Sequence, residues 1–486
     1  MITFLNLNTI FYIFIGTIFG IFFGAMPGLT STAAVAMLIP LTYRLDDITG
    51  IGLLLGAFCG GTAGGAIPAA LLNIPGTPSS ICTTFDAFPM VKKGKAGRAL
   101  GISMVSSFIG GLISAILLIC VAPFVAELAI NFGPFEYTIM LSIGMILAVR
   151  VFNGDKIKAF LSMLLGVLFS MIGADPITGV SRLSFNNINL RGGIHLLPLM
   201  VGFFAISQTL ISLSEINEES QKHITNQQEL SIKIPSIREL LSKCKLFLSS
   251  SAIGSLIGVL PGAGGSIASI TSYSFAKNIS KEGKNFGKGV EDGIIASETS
   301  NNAMTGGALI PTLALGIPGD ACTAVMLGGM RLLGINTGPD LFSNNLEMVY
   351  GIFTSFVIAN IIMFSVQLIG NKFFIKILII PQYILFPIVC VFSVIGVYCV
   401  GHNFFDLYVM IFFGILGYFL SKYGFGIVSC LMGFILGGLF EQQLRRTFTL
   451  YDSIFDVFSR PIACVLLVFL FIILLSFFKR GKIEND

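Results

Sequence analysis

The sequence predicts an all-α polytopic membrane protein of about ten to twelve transmembrane helices. The helices are expected to form two inverted-topology repeats with discontinuous helices or re-entrant hairpins. Three observations predict this. Of 486 residues, 54% are hydrophobic and only 11% charged, and the mean hydropathy is +0.89. That is more apolar surface than a soluble core of this size hides. A thirteen-residue Gly/Pro pattern occurs twice, and the loop charges around its two copies are reversed.

The apolar stretches run near twenty residues, which at about 1.5 Å per residue match the roughly 30 Å hydrocarbon core. The first, residues 8–25, precedes any Lys or Arg. It therefore lacks the basic start of a cleaved signal and reads as a span. Next comes Gly20-x-x-x-Gly24-x-x-Pro27-Gly28, followed by Leu29, Thr30, Ser31 and Thr32. The same spacing returns 234 residues later in Gly254, Gly258, Pro261 and Gly262, followed by Ala263, Gly264, Gly265 and Ser266. The four spaced glycines suit close helix contact.

The longer pattern is G-x-x-I-P-x-x-x-L-x-I-P-G. It runs from Gly64 through Ile67, Pro68, Leu72, Asn73, Ile74, Pro75 and Gly76 to Thr77 and Pro78. It returns at a constant offset of 243 as Gly307, Ile310, Pro311, Leu315, Gly316, Ile317, Pro318, Gly319 and Asp320. Proline removes an amide donor and glycine weakens a helix, so each copy predicts a broken helix lining a cavity. The halves are residues 1–214 and 246–486. Between them, residues 215–245 form the longest polar stretch and read as a solvated cytoplasmic linker.

Loop charge relates the halves. In the first, Arg44, Asp46 and Asp47 lie between the two breaks, and Lys92, Lys93, Lys95 and Arg98 follow the second. In the second half Lys277, Lys281, Lys284 and Lys288 lie between the breaks, and only Arg331 follows closely. Positive loops stay cytoplasmic, so equivalent loops should face opposite sides. Residues 92–98, 150–158, 215–245, 371–376 and 421–422 then fall inside, and 126–136, 174–193 and 441–460 outside. The N-terminus is periplasmic and the C-terminus cytoplasmic. Arg445 and Arg446 fit this assignment badly. Tryptophan is absent, so 11 Tyr and some of 45 Phe must supply the interfacial belt.

Several classes are excluded. The net charge is only +4, and the basic residues sit in short loops, so no nucleic-acid partner is expected; membrane lipid surrounds the chain. The nine cysteines are scattered without a C-x-x-C, which indicates neither a disulfide framework nor a zinc site. His195, His223 and His402 are far apart and lack a nucleophile and carboxylate in recognisable context, so no enzyme is expected. No phosphate-binding G-x-x-x-x-G-K-[ST] loop is present, which argues against a self-contained ATP-driven pump.

A broken helix exposes amides at one half-helix end, which favour an anion, and carbonyls at the other, which favour a cation. Paired breaks therefore point to a carrier of an anionic solute. The candidate substrate- or ion-binding residues are Thr30, Ser31, Asn73, Pro75, Gly76, Thr77, Ser79, Ser80, Gly262, Gly264, Gly265, Ser266, Asn301, Asn302, Pro318, Gly319, Asp320 and Thr323. Thr77 and Asp320 occupy equivalent positions, and helix capping competes with ligand binding at both. If Asp320 does more than cap, it suits a cation or proton better than an anion. Glu298 sits one turn before Asn302; a solvated face leading into the membrane competes with a role in the site.

Five motifs carry a resemblance: Pro27-Gly28-Leu29-Thr30, Leu72 to Ser79, Pro89 to Gly101, Leu260 to Gly264, and Asn301-Asn302-Ala303 through Gly319. In order and spacing they resemble the large membrane subunit of tripartite tricarboxylate transporters, the TctA family. The motifs span most of residues 10–345, and the remainder matches in hydropathy. The resemblance implies a secondary transporter of the bacterial inner membrane importing carboxylates such as citrate, driven by an ion gradient. It further implies a small membrane subunit and a periplasmic solute-binding protein as partners. No cofactor is expected beyond a coupling ion, sodium or a proton. The chain departs from the implied pattern at Asp320, where a small residue such as Ser is expected. An uncoupled anion channel or scaffold subunit is the alternative, and the sequence leaves open whether the chain forms a homodimer.

The inverted arrangement makes a labelling prediction. In a cysteine-free background, Lys95→Cys and Lys284→Cys should react with an impermeant maleimide from one side of the membrane and Asp47→Cys from the other. Labelling of all three from one side would overturn the topology.

Overall fold

The computed structural model describes residues 6–26, 29–152, 154–175, 177–214, 231–377, 382–451 and 453–480. The Pro27-Gly28 break, His223, most of the polar linker and Gly481-Lys482 lie outside the described residues, as do the side chains of Lys372, Lys376, Lys479 and Arg480.

The first half comprises α1 (Leu7–Ala25), α2 (Ser31–Thr42), α3 (Asp47–Gly64), α4 (Ala66–Leu72), a 3-10 turn (Pro78–Ser80), α5 (Ile81–Lys92), α6 (Ala96–Ile130), α7 (Pro134–Val151) and α8 (Lys156–Ser170). A short antiparallel pair, β1 (Gly173–Ala174) with β2 (Ser181–Arg182), leads to α9 (Ile188–Arg191), α10 (Leu196–Val201) and α11 (Ser207–Ser214). The remainder comprises α12 (Ile237–Ser242), α13 (Cys244–Val259), α14 (Gly264–Ile279), α15 (Glu291–Leu315), α16 (Ala321–Leu332), α17 (Pro339–Asn344), α18 (Leu346–Ile377), α19 (Gln382–Gly401), α20 (Phe404–Lys422), α21 (Ile427–Leu450) and α22 (Pro461–Arg480). Among the described residues six helices are long and apolar enough to cross a bilayer, and six shorter apolar helices accompany them. The chain is an all-α polytopic membrane protein. Helix starts follow local chemistry: Thr30, Asp46, Asp155, Asp320 and Asn403 each accept a hydrogen bond from an amide of the turn that follows.

Glycine spacing decides the central packing. In α1, a Cβ on Gly20 or Gly24 would strike the backbone of Ala57 or Gly61 in α3. In α13, a Cβ on Gly254 or Gly258 would strike Ser300 or Met304 of α15. Each pair therefore packs backbone to backbone, the use predicted for these glycines. The two long broken helices also lean on the opposite half, α15 along α6 and α3 along α18.

Ion pairs sort the loops onto two faces at opposite ends of α6. On one, Arg98 meets Glu239 at 3.1 Å and Glu291 at 2.9 Å, Lys243 meets Asp292 at 2.6 Å, and Lys93 donates to the Lys288 carbonyl at 2.6 Å. On the other, Arg460 meets Glu136 at 2.7 Å, Arg182 meets Glu441 at 2.6 Å, and Arg445 meets Asp175 at 2.7 Å and Glu441 at 2.9 Å. The Ile177 and Thr178 amides and the Arg445 guanidinium hold the Asp175 carboxyl well below the usual carboxylate range. Segments predicted to share a side thus meet, and Arg445 is neutralised by carboxylates of its own face.

The glycine contacts predict that Gly24→Val and Gly258→Val each lose about 1–3 kcal/mol from overpacking. Thermal melting of the detergent-solubilised protein should show both losses, while Gly192→Ala, with open space around it, should melt like the parent chain.

Candidate functional site

In both copies of the repeated signature the first proline, Pro68 or Pro311, stays inside a helix, and the helix ends just before the second Ile-Pro. Helix α4 ends at Asn73 with φ 58°, and α15 ends at Gly316 with φ 69°. Each terminal amide donates to the carbonyl of the helix proline five residues back. Asn and Gly are the residue types that enter this left-handed region readily. Asn73 is exposed, and its observed role is this chain reversal.

Thr77 and Asp320 diverge. Thr77 is extended and Pro78 opens the 3-10 turn, but the Ser80 amide already donates to the Thr77 carbonyl at 3.0 Å. Its hydroxyl instead bonds those of Ser79 at 2.9 Å and Ser80 at 3.0 Å, so the expected side-chain cap is replaced by a hydroxyl cluster. Asp320 is a true cap. Its Oδ1 accepts from the Thr323 amide at 2.8 Å and hydroxyl at 2.6 Å, and its own amide donates to the Thr323 hydroxyl at 2.9 Å.

The two breaks of the second half are tied together: the Gly262 amide donates to the Gly319 carbonyl at 2.8 Å, with Gly262 at φ 81° and Gly264 at φ 63°. Pro318 and Gly319 are buried there, Gly319 against Ala308. In the first half, Gly76 packs beneath half-buried Pro75 against the Gly24 carbonyl and the Pro68 ring. Thr30 caps α2 through the Ala33 amide at 3.1 Å, and Ser31 rests on Gly61 with its hydroxyl on Cys322. Half-buried Ser266 lies in the first turn of α14.

One place brings candidates of both halves together. A Cβ on Gly265 would sit 2.6 Å from the Ser79 Cβ and 2.8 Å from Asn301 Oδ1. The start of α14, the turn before α5 and the middle of α15 therefore converge. Asn301 is fully buried, and neither its Oδ1 nor its Nδ2 has a hydrogen-bond partner. A buried amide left unpaired costs about 1–3 kcal/mol per group, which sets Asn301 apart from the hydrogen-bonded polar side chains around it. Asn302 is committed elsewhere: its Nδ2 donates to the Glu298 carbonyl at 3.0 Å.

Two acidic residues lie in the same interior. Glu298 has no exposed surface; it accepts from the Thr83 hydroxyl, and from the Ser107 hydroxyl at 3.1 Å. The solvated-face reading is overturned because α5 and α6 cover that side of α15. Asp86 accepts from the Gly287, Gly289 and Val290 amides at 2.8–2.9 Å and from Tyr273 at 2.7 Å. It pins α5 to the other half. The polar run Glu291–Asn302 ahead of an apolar stretch signalled Glu298; no sequence pattern singled out Asp86.

The family model of the tripartite tricarboxylate transporter TctA family matches residues 10–432. The chain belongs to this family. It is 34% identical over 459 residues to an uncharacterized 52.8 kDa protein in the TAR-I ttuC' 3' region of Agrobacterium vitis, covering 94% of this chain and 91% of that one. It is also 40% identical over 215 residues to an uncharacterized protein in the TAR-II ttuC' 3' region of the same organism, covering 44% of this chain and 89% of that one. No solved structure matches the chain. The TctA match extends past the motif-bearing stretch to residue 432, taking in every site residue and leaving α22 outside.

For this TctA-family chain the Asp320 geometry yields a stability prediction. Asp320→Ser should keep a cap and leave the ion and pH dependence of uptake unchanged, whereas Asp320→Ala should lower stability by about 1 kcal/mol, read by thermal melting. A changed ion dependence in Asp320→Ser would instead assign Asp320 to coupling.

Proposed function

We propose that this tripartite tricarboxylate transporter subunit is the large membrane-embedded one, and that it imports tri- or dicarboxylates such as citrate using an ion gradient. The observation that carries the reading is the unpaired Asn301 amide, enclosed where Ser79 and the Gly265 backbone from opposite halves converge. Its donor and the α14 amides suit a carboxylate oxygen, and the neighbouring hydroxyls of Thr77, Ser79 and Ser80 suit its polar remainder. The halves 1–214 and 246–486 act as inverted repeats on either side of this point, joined by the 215–245 linker. A small membrane subunit completes the carrier, and a periplasmic solute-binding protein delivers the substrate. The chain lies in the bacterial inner membrane with its N-terminus periplasmic and its C-terminus cytoplasmic. The face carrying Arg98, Lys93 and Lys243 is the cytoplasmic one. Its work is transport rather than enzymatic turnover, and sodium or a proton is the coupling ion.

Proteoliposomes holding both membrane subunits, given the binding protein and labelled citrate, test the reading. Accumulation should require an imposed sodium or proton gradient, and Asn301→Ala should lower uptake at least tenfold without loss of protein. Citrate flux indifferent to every gradient would indicate an uncoupled channel and overturn the proposal.

A further inference from the structure

Glu298 is placed where a fixed negative charge is hard to sustain. Its carboxylate is fully enclosed, and its side-chain partners are the neutral hydroxyls of Thr83 and Ser107. Among the described residues no Lys, Arg or His pairs with it, although the ion-paired carboxylates elsewhere in the chain lie near the loops. Removing an unpaired carboxylate from water costs several kcal/mol in real proteins, whereas a protonated carboxyl retains its hydrogen bonds without that penalty. The groups facing it complete the account. Helix α5 contributes Thr83 and the Cys82 thiol, and α6 contributes Ser107. From α14 comes Ser269, beside that thiol. From α15 itself come Ser297, bonded to Thr83 at 3.2 Å, and Asn302. The next acidic side chain along this interface, Asp86 beside Gly293, is occupied by three amides and Tyr273.

Glu298 also stands three residues before Asn301 on α15, so the two share a face about 5–6 Å apart. A carboxylate substrate at the Asn301 amide would confront a second negative charge unless Glu298 were protonated.

We infer that Glu298 carries the coupling proton, taking one proton from water as the anionic substrate binds at Asn301 and releasing it when the substrate leaves. The inference rests on the carboxylate-transport reading and deepens it by naming the ion and the residue. No chemistry beyond protonation is needed: the carboxylate oxygen gains a proton on the side where the site is open and returns it on the other. At an effective dielectric constant of about 20, two unit charges roughly 6 Å apart alter each other's binding by about 100-fold. Anion and proton therefore raise one another's affinity by that same factor. The Arg98 face is indented toward this region. A cavity of about 240 Å³ between α6, α12, α13 and α15, lined by Arg98, Glu239, Lys243, Phe247 and Glu291, reaches Ser106, the neighbour of Ser107. The Ser106 hydroxyl is buried without a partner.

The test uses the complete transporter in liposomes loaded with a pH-sensitive dye, with labelled citrate as the probe. For the parent protein, citrate entry should acidify the lumen and an inward proton gradient should drive accumulation. Glu298→Gln, which copies the protonated state, should still exchange citrate across the membrane but lose gradient-driven accumulation and proton entry. Thr83→Val and Ser107→Ala remove hydrogen bonds from the charged form, so each should move the alkaline limb of the uptake–pH profile upward by about one unit. These two variants keep the test decisive if Glu298→Gln does not fold. Proton entry that survives in folded Glu298→Gln, or pH profiles unmoved in both hydroxyl variants, would overturn the assignment, as would accumulation in the parent driven by sodium alone. Absence of citrate exchange in the parent would instead sink the transport reading beneath it.

Discussion

Everything in this molecule depends on holding interrupted helices inside an apolar solvent. A break frees amides and carbonyls that hydrocarbon cannot satisfy, so each must be enclosed by protein at close range. The glycines of α1 and α13 make that enclosure by letting backbone lie on backbone. Gly76 and Gly319, the last residues of the two signatures, then sit against the carbonyls of Gly24 and Gly258. The two repeated patterns are therefore one device in each half: the glycine pair of one pattern is the wall against which the break of the other is packed. Any side chain at these positions would push the walls apart.

Much of this was legible in the sequence because glycine and proline have few other uses inside an apolar helix. Their spacing located both breaks and the packing of α1 and α13. The match between Asn73 and Gly316 was also visible, but its meaning was not: a left-handed φ at both positions shows Asn73 serving backbone geometry. The hydroxyl cluster at Thr77 escaped because a three-residue turn lets the Thr77 carbonyl bond the Ser80 amide first, which no propensity rule encodes. Asp86, and the enclosure of Glu298, escaped for a different reason. Their burial is decided by helices distant in sequence, α6 over Glu298 and the 287–290 segment over Asp86, and nothing local distinguishes an enclosed acid from a solvated one.

Charge shows the same limit from the other side. Counting Lys and Arg grouped the loops as the ion pairs group them, even across 141 residues from Arg98 to Glu239 and 270 from Asp175 to Arg445. The count faltered only at Arg445 and Arg446, because it ignores acidic partners, and Arg445 is matched by Asp175 and Glu441. The positive-inside rule concerns the loop during insertion, whereas the pairs describe the folded state. Their agreement on which segments share a face is thus drawn from independent physics.

The two halves share a pattern but are not chemically equivalent, and that difference bears most on function. Where the first half's turn meets the second half's helices, the neighbours are Gly265, Asn301 and Ser79. The corresponding place near the second turn holds Ser31, Gly61 and Cys322, and the position equivalent to Asn301 is Phe58, fully buried in the apolar core. One break therefore lies beside the unpaired Asn301 amide, and the other is closed by the Asp320–Thr323 capping box. The hydrogen bonds distinguish the two: the Asn301 side chain has no partner, and the Asp320 carboxylate is bonded to Thr323.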